Sequence, residues 1–225
     1  MWTVSNLQRQ SNLDRPAPPP AALRTILARR ELKRGDTLYR SGDAGPAVYR
    51  VEAGLLKLFL DVAGGKERIL SLAGPGDLIG SIAPSQTQYT ESAEALSGSV
   101  QVGVLDYSAV GHAFELLHDA GAKQLQQLRD ALEDADLPVP ARLARTFVRL
   151  GDRFGNVQED GLTRVTLPLT HDNLAAMIGA ARETTSTTLA QMRESGVLSG
   201  TRGNYSYHLH ELLSFAAEVV ANSSA

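Results

Sequence analysis

The 225-residue chain contains no cysteine. This absence excludes disulfides, thiolate zinc sites and cysteine-ligated iron–sulfur clusters. The sequence also lacks any run approaching the roughly 18 apolar residues that a membrane-spanning helix requires, and polar residues interrupt the stretch where a signal peptide would lie. We therefore expect a cytoplasmic protein that uses no metal and no cofactor.

Catalytic motifs are missing as well. The sequence has no recognisable nucleophile motif, no P-loop and no pair of histidines at metal-ligand helical spacing. Its Gly-Asp turns are not followed by helix starts, so we interpret them as turns between strands rather than as phosphate-binding loops. The sequence therefore predicts a protein that is not an enzyme. Its five histidines are interpreted as surface or capping residues rather than haem ligands: His112, His118, His171, His208 and His210.

Positive charge is scarce. The net charge is −3, and the residues from Pro138 onward include eight arginines, no lysine and eight acidic residues. Phosphate neutralisation supplies most of the non-specific affinity of a protein for DNA, so a DNA-binding role would require a local concentration of arginine. Residues 1–30 are more basic, with five arginines against a single acidic residue, Asp14.

Turn residues divide the N-terminal half into short apolar segments. Residues 1–20 include the proline-rich stretch Arg15–Pro20 and are predicted to form a flexible basic tail. A short helix is predicted from Ala21 to about Arg30. Between Leu32 and Asp106, aliphatic and aromatic runs alternate with Gly and Pro turns at spacings of roughly 8–12 residues, which is typical of an antiparallel β-roll or barrel. We predict this sensor-like domain at residues 21–108.

A long helix is predicted over residues 109–137, because no proline occurs between Asp106 and Pro138. Apolar residues and one glycine recur there at spacings of three and four, which is the pattern of a coiled-coil seam. Packing against its own domain is the alternative, but a narrow seam on a long helix favours pairing with a second copy of the chain. The predicted dimer interface consists of Leu117, Gly121, Leu125, Leu128 and Leu132.

The remaining residues, 138–225, have the pattern of a second domain, in which Pro138 marks a hinge. An amphipathic helix and a strand precede two short helices, and a glycine-rich hairpin (Gly200–Tyr207) and a closing helix from Glu211 follow them. Thr170 is a favourable N-cap for the first short helix, and Gly179 is predicted to end it.

The second short helix is predicted to begin near Arg182 and to bury Leu189 and Met192. Two short helices joined by a tight turn form a helix-turn-helix, whose second helix can enter the major groove of DNA. The predicted base contacts lie on its exposed face and are Arg182, Glu183, Ser186 and Thr187. The predicted phosphate contacts are Thr170, Thr188, Thr201 and Arg202. An arginine can donate two hydrogen bonds to guanine and a glutamate can accept one from cytosine, although a solvated Arg–Glu pair is the alternative interpretation.

Two separate sets of motifs point to one known family. In the C-terminal half they are Asn173–Gly179 followed by Arg182–Thr184, and then Ser195–Leu198 before the hairpin. In the N-terminal half they are Arg34–Asp43, Val48–Gly54 and Pro75–Gly80. Both sets resemble the CRP/FNR superfamily of transcription regulators, the second being similar to the turns of its cyclic-nucleotide-binding β-roll. The resemblance covers about residues 31–215 in the expected order.

The resemblance implies an α+β fold with an N-terminal antiparallel, jelly-roll-like β-roll, a long dimerisation helix and a C-terminal winged helix-turn-helix. It implies a homodimeric, sequence-specific regulator of transcription that binds double-stranded DNA at a near-palindromic site and has RNA polymerase as a partner. The family's third base-contacting residue is commonly an arginine one turn after the glutamate. This chain has Thr187 there, which leaves its half-site sequence open.

The effector positions depart from those of cyclic-AMP-binding members. Those members have a glutamate after the Pro-Gly-Asp turn for the ribose, an Arg-Ser pair for the cyclic phosphate and a Thr-Ser pair on the long helix for the base. A glutamate in place of that arginine would repel a phosphate, so we expect no cyclic AMP binding of the usual kind. The corresponding positions here, which we interpret as a vestigial pocket, are Gly80, Ser81, Glu91, Ser92, Asp130 and Ala131.

Three alternatives stay open for regulation. The first is a regulator that is active without an effector. The second is a β-roll that binds a different small molecule, with Gln86, Gln88 and Tyr89 lining its site. The third is a ligand-sensing module that acts on a protein partner, against which the helix-turn-helix argues.

Overall fold

The computed structural model describes residues 26–44, 47–62, 64–81, 87–105 and 114–223, with side chains in the last range described from His118 onward. The predicted tail, residues 1–20, lies outside these ranges. The strands of the N-terminal half are β1 (Ile26–Lys33), β2 (Thr37–Tyr39), β3 (Val48–Ala53), β4 (Leu56–Val62), β5 (Lys66–Ala73), β6 (Leu78–Gly80), β7 (Ser92–Ala95) and β8 (Ser99–Leu105).

These strands form two antiparallel four-stranded sheets, in the orders β1-β8-β3-β6 and β2-β7-β4-β5. Side chains from both sheets fill the space between them, because alternate residues of each strand point to the same face. Leu56 and Val100 are fully buried in this core, and Ile79 is 2% exposed. The predicted β-roll is confirmed.

The predicted helix from Ala21 to Arg30 is wrong for the described part of that range. Residues from Ile26 onward form β1, which pairs with β8 in the register Arg30↔Val102 and Lys33↔Ser99. The segment contains good helix formers, but helix preference is worth under about 1 kcal/mol per residue, and the backbone ladder to β8 outweighs it. As an edge strand, β1 exposes most of its side chains, so no alternation revealed it.

The C-terminal half begins with two helices that meet at a proline. Helix α1 (Phe114–Ala135) has 22 residues and is about 33 Å long. Helix α2 (Val139–Phe154) follows, with Pro138 as its N-cap residue and Pro140 in its first turn. A proline is tolerated there because the first N–H groups of a helix have no intrahelical acceptor.

The remaining elements build a small domain around α2. They are β9 (Asn156–Val157), β10 (Leu162–Thr166), α3 (His171–Ile178), α4 (Arg182–Glu194), β11 (Ser199–Thr201), β12 (Asn204–His208) and α5 (Leu209–Ser223). The strands form one sheet in the order β11-β12-β10-β9. The Tyr207 hydroxyl donates to the Phe147 carbonyl at 2.7 Å and thereby ties this sheet to α2. The predicted α+β fold is confirmed.

A second hydrophobic core joins the two halves of the chain. Phe147, Leu174 and Leu189 are fully buried, and they share one cluster with Phe59 and Ile69 on the outer face of the β4–β5 hairpin. The helix-turn-helix is therefore packed directly on the β-roll. No helix within the described ranges is both long and apolar enough to cross a membrane.

Candidate DNA-contacting surface and effector region

Helix α3 has defined caps at both ends. Thr170 Oγ1 accepts from the Asn173 amide at 3.2 Å, and Asn173 Oδ1 accepts from the Thr170 amide at 2.9 Å, which is a capping box. Gly179 ends the helix with φ +62° and ψ +44°, a left-handed conformation that favours glycine. Both predicted caps are confirmed, and they fix where the turn to α4 begins.

Helix α4 buries one face and exposes the other. Leu189 and Met192 are fully buried, as predicted, whereas Arg182, Glu183 and Thr187 are exposed. The exposed residues include three of the four predicted base contacts. They form a surface that the described part of the chain leaves free.

Arg182 already has a weak partner in this structure. Its Nε lies 3.5 Å from Oδ1 of Asp172 on α3, and both side chains are about two-thirds exposed, at 64% and 66%. Exposed ion pairs of this kind contribute only about 0–1 kcal/mol. A guanine edge or a phosphate can therefore displace Asp172 from Arg182 at little cost.

Two other predicted contacts are engaged inside the protein. Ser186 is partly buried, and its Oγ lies 2.9 Å from Nδ1 of His171. Thr188 is 4% exposed, and its hydroxyl donates to the Thr184 carbonyl at 2.8 Å. The prediction of Thr188 as a phosphate contact is wrong, because this side of α4 faces the core.

The hairpin of β11 and β12 presents the other two predicted phosphate contacts. Thr201 and Arg202 lie at its tip and are exposed. The central residues of its two-residue turn, Arg202 and Gly203, have φ of +53° and +82°. Positive φ at both central residues is the arrangement that matches the twist of paired strands. The hairpin therefore forms a defined wing beside α4.

Helix α1 carries an exposed apolar stripe. Leu125, Leu128 and Leu132 are 69%, 53% and 67% exposed. A Cβ added at Gly121 would meet no atom within 4 Å. The side chain of Leu117 lies outside the described side chains. Four of the five predicted interface residues therefore lie on a surface that the described residues of the protomer do not cover.

Buried charge fixes the junction between α1 and α2. Asp134 is 4% exposed, and its carboxylate forms ion pairs with Arg149 and, at 2.9 Å, with Arg145. Glu133 lies 3.3 Å from the same Arg145 but is half exposed. Asp134 is thus the residue that ties the end of α1 to α2.

Three tyrosines fill the interior of the β-roll beside Gly80. The ring centroids of Tyr39 and Tyr89 are 4.0 Å apart in a stacked arrangement, and the Tyr49 ring lies 5.8 Å from that of Tyr39 and 6.5 Å from that of Tyr89. The Tyr39 hydroxyl donates to Glu91 Oε1 at 3.4 Å. Burial, followed by the charge of Glu91, raises the pKa of Tyr39, so its hydroxyl remains a neutral donor.

The predicted effector positions are only partly brought together. Glu91 and Ser92 are buried, and Ser92 Oγ accepts from the Ser41 amide at 3.0 Å. Ser81 is fully buried, and its amide donates to the Ala47 carbonyl at 3.1 Å.

The α1 positions do not join this group. The α1 residues that line the cleft against β5 and β6 are Asp119, Ala120, Lys123, Gln124 and Gln127. Asp130 and Ala131, predicted as part of the vestigial pocket, are not among these cleft-lining residues. Asp130 instead accepts a hydrogen bond from Gln126 on α1 itself, at 2.8 Å.

Comparison with known proteins matches both halves. A cyclic nucleotide-binding domain model matches residues 29–115, and a Crp-like helix-turn-helix domain model matches residues 141–213. The chain is 32% identical over 174 residues to the cyclic AMP receptor protein of Thermus thermophilus, covering 76% of this chain and 79% of that one. The chain belongs to the CRP/FNR family of transcription regulators.

Other relatives agree with this assignment. This CRP/FNR regulator is 29% identical over 184 residues to the CRP-like cAMP-activated global transcriptional regulator of Mycobacterium tuberculosis, covering 78% of this chain and 82% of that one. Its fold is that of FixK2 from Bradyrhizobium japonicum, with a TM-score of 0.71, 20% identity, and coverage of 84% of this chain and 96% of the other. It is a transcription regulator with a DNA-binding helix-turn-helix.

The position that the resemblance assigns to the cyclic phosphate is occupied by a carboxylate in this CRP/FNR regulator. A cyclic phosphate would meet the buried carboxylate of Glu91, and Tyr39 and Tyr89 fill the adjoining interior. Of the residues named for an alternative small-molecule site, Tyr89 is buried among the tyrosines and Gln88 is exposed, while Gln86 lies outside the described residues.

Sequence reasoning missed two features of this CRP/FNR regulator. His171 was interpreted as a surface or capping residue, but it links α3 to α4 through Ser186. The tyrosine stack joins residues 39, 49 and 89, which lie on different strands and loops. No local pattern predicts their contact, although three tyrosines in an otherwise aromatic-poor roll were a usable signal.

Proposed function

We propose that this CRP/FNR regulator binds a near-palindromic DNA site as a homodimer and does so without cyclic AMP. The proposal rests on the burial pattern of α4: one face of the helix is packed in the core, while Arg182, Glu183 and Thr187 remain exposed. Since the target is DNA, the proposal places the protein in the cytoplasm with RNA polymerase as its partner.

In this proposal, Arg182 and Glu183 contact bases in the major groove. Each is in the first turn of α4, the part of a recognition helix that reaches base edges. Thr187 lies one turn further on the same exposed face, and its methyl group suits contact with thymine. Ser186, partly buried and bonded to His171, supports the surface from its edge.

The proposed phosphate contacts flank this surface. Thr170 is exposed at the start of α3, and Thr201 and Arg202 are exposed at the tip of the wing. Contacts on both sides of α4 would fix its depth and angle in the groove. Thr188 is not among them, since it is buried.

The proposed homodimer forms along α1. Two copies related by a twofold axis would cover Leu125, Leu128 and Leu132 and would present two helix-turn-helix units. Two half-sites one helical turn apart, roughly 34–36 Å, then correspond to a palindromic site. The exposure of all three leucines in the single protomer supports this arrangement.

Independence from cyclic AMP is proposed from the β-roll. Some relatives are named for cyclic AMP, but here the buried Glu91 lies at the position of the phosphate-binding arginine, and three tyrosines fill the adjoining interior. A buried carboxylate next to a phosphate is a like-charge contact in a low-dielectric interior, and such contacts are strongly unfavourable.

The test starts from a randomised duplex library selected with ligand-free protein, followed by fluorescence anisotropy on the selected duplex. We expect palindromic sequences to be enriched and cyclic AMP to leave the affinity unchanged. Arg182→Ala should weaken binding to the selected duplex and not to a scrambled one, whereas Arg40→Ala, at an exposed arginine of the β-roll, should change neither. Enrichment that requires cyclic AMP would contradict the proposed independence, and no enrichment under either condition would contradict the proposed DNA site.

A further inference from the structure

Two arginines of the β-roll contact the two ends of α3. Arg34, in the turn between β1 and β2, donates from Nη2 to the Pro168 carbonyl at 3.0 Å, two residues before the N-cap of the helix. Arg68, on β5, lies against Gly179 at the other end. The first helix of the helix-turn-helix is thus bracketed by side chains from the opposite half of the protein. We call Arg34 and Arg68 the arginine pair.

The contact of Arg68 with Gly179 is close. A Cβ built on Gly179 would lie 1.6 Å from Arg68 Nη1, so the guanidinium occupies the space where any other residue would place its side chain. Arg142 donates to the neighbouring Ile178 carbonyl at 2.8 Å. The last carbonyls of a helix carry partial negative charge, which both guanidinium groups complement.

The electrostatic setting of Arg68 is unfavourable for its positive charge. Burial lowers the pKa of Arg68, and the nearby charge of Arg142 lowers it further, while Asp134 at the α1–α2 junction opposes both effects. Because burial and a neighbouring like charge both disfavour a charged guanidinium, the contact of Arg68 with Gly179 depends on packing rather than on charge. That packing is the shared core of the β4–β5 hairpin and α3.

A third contact fastens α2 to the same sheet. Arg153 donates to the Leu72 carbonyl and to Asp77 Oδ2, each at 2.8 Å. Together with the arginine pair, this gives the C-terminal domain polar contacts with the β-roll around a buried apolar centre. The domain is therefore oriented by more than its covalent connection at Pro138.

The docked face is not the face that contacts DNA. The arginine pair and the β4–β5 hairpin contact α3, whereas Arg182, Glu183 and Thr187 on α4 stay exposed. Docking on the β-roll therefore leaves the recognition surface accessible. An inhibitory contact would instead cover it.

We propose that Arg34 and Arg68 are positioning residues that hold the helix-turn-helix in one orientation on its own β-roll, so that the effector-free protein is already arranged for DNA. This inference rests on the proposed function. A dimer must place two recognition helices at a fixed separation, and the apparent dissociation constant rises as the competent fraction of the protein falls. Without the arginine pair, the domain would pivot at Pro138 and the competent fraction would drop.

The first measurement is DNA affinity and its salt dependence for Arg34→Gln, Arg68→Gln and the double variant, with Arg40→Gln as the matched control. We expect the double variant to bind the selected duplex roughly 10-fold more weakly or worse, as a fall of the competent fraction to a tenth would produce. The slope of log affinity against log salt should stay unchanged, because positioning residues release no counterions. Arg68→Lys should bind the duplex more tightly than Arg68→Gln but more weakly than the wild type, since lysine keeps the positive charge but not the planar guanidinium.

Three outcomes of that measurement would overturn the inference. Unchanged affinity would mean that the arginine pair does not position the domain. Tighter binding would mean that docking is inhibitory. A slope reduced by about 0.9 for each lost phosphate contact would mean that the arginines contact DNA directly.

The second measurement needs no DNA, so it separates this inference from the proposed function. The chain has no cysteine, so Gln101→Cys on β8 and Glu218→Cys on α5 can be spin-labelled selectively and diluted with unlabelled protein. We expect one narrow distance distribution with the arginine pair intact and a broad one in the double Gln variant. Identical distributions, or a broad one with the pair intact, would overturn the inference even if the protein binds its duplex. If the double Gln variant shows a broadened distribution but the protein with the pair intact binds no duplex, the positioning role is upheld and the DNA-binding proposal is refuted.

Discussion

The exposed stripe on α1 gives the sharpest quantitative prediction. Its three leucines together expose nearly two complete side chains per protomer, and close to four in a dimer. Complete burial of a leucine contributes about 1.5–3 kcal/mol, so a symmetric seam would gain roughly 6–12 kcal/mol. That gain is of the size needed to offset the several kcal/mol that association itself costs.

Leu125→Glu should dissociate this dimer. The residue is 69% exposed, so its loss from both protomers removes roughly 2–4 kcal/mol of apolar burial, which corresponds to a roughly 30- to 700-fold higher dissociation constant. Two carboxylates facing each other across the seam would add repulsion. Sedimentation equilibrium over a dilution series measures the shift from a dimer to the 24.1 kDa monomer.

Leu213→Glu is the matched control, because Leu213 is also an exposed leucine, at 44%, but lies on α5. It should leave the association unchanged. The reasoning is refuted if Leu125→Glu sediments as the wild type does, or if the wild type is itself a monomer at the highest concentrations. Equal dissociation of both variants would place the interface elsewhere.

Three further substitutions, each compared with a second variant, test the site and the junction between α1 and α2. Gly179→Ala should lower the free energy of unfolding by about 1–2 kcal/mol because of its left-handed backbone, and by more because Arg68 must move. Gly196→Ala is the control: Gly196 has φ +78° and open space around it, so denaturant unfolding of this variant measures the backbone strain alone. Asp134→Asn should lower the free energy of unfolding by about 1–3 kcal/mol in the same measurement, since two arginines lose a buried charged partner. Glu133→Gln, at the half-exposed neighbour, should change the free energy of unfolding by no more than about 1 kcal/mol. Thr188→Val should leave DNA affinity unchanged in anisotropy titrations because the hydroxyl is buried, while Thr187→Ser should alter it because it removes the methyl group proposed to contact thymine. Equal losses would return Thr188 to the contact surface.

The parts of the fold that sequence predicted are those governed by local chemistry. The N-cap at Thr170 and the left-handed glycine at Gly179 are set by a few neighbouring residues, and both were found. The burial of Thr188 also had a local signal, because it shares the spacing of Thr185, Leu189 and Met192 along one face of α4. A helical projection of the sequence would have placed Thr188 on the buried face of α4.

Long-range pairing set the parts that sequence did not predict. Strand β1 is extended because of its partner β8, not because of its own residues. Arg34 and Arg68 contact residues 134 and 111 positions further along the chain, and no periodicity relates them. The assignment of Asp130 and Ala131 to the pocket stays a prediction, because sequence spacing does not give the rotation of a helix against a sheet.

These contacts explain why a regulator without a usual cyclic-AMP site would keep an intact β-roll. The outer face of its β4–β5 hairpin is part of the core that holds α3, with Phe59 and Ile69 in the same cluster as Leu174. The tyrosine stack fills the interior beside Gly80, and a close-packed interior transmits position from one face of a sheet to the other. If the β-roll serves as a rigid support, a cavity made by Tyr39→Ala should broaden the distance between the halves and weaken DNA binding together. If the β-roll were only a remnant, the same cavity would lower stability and leave the DNA affinity of the folded protein intact.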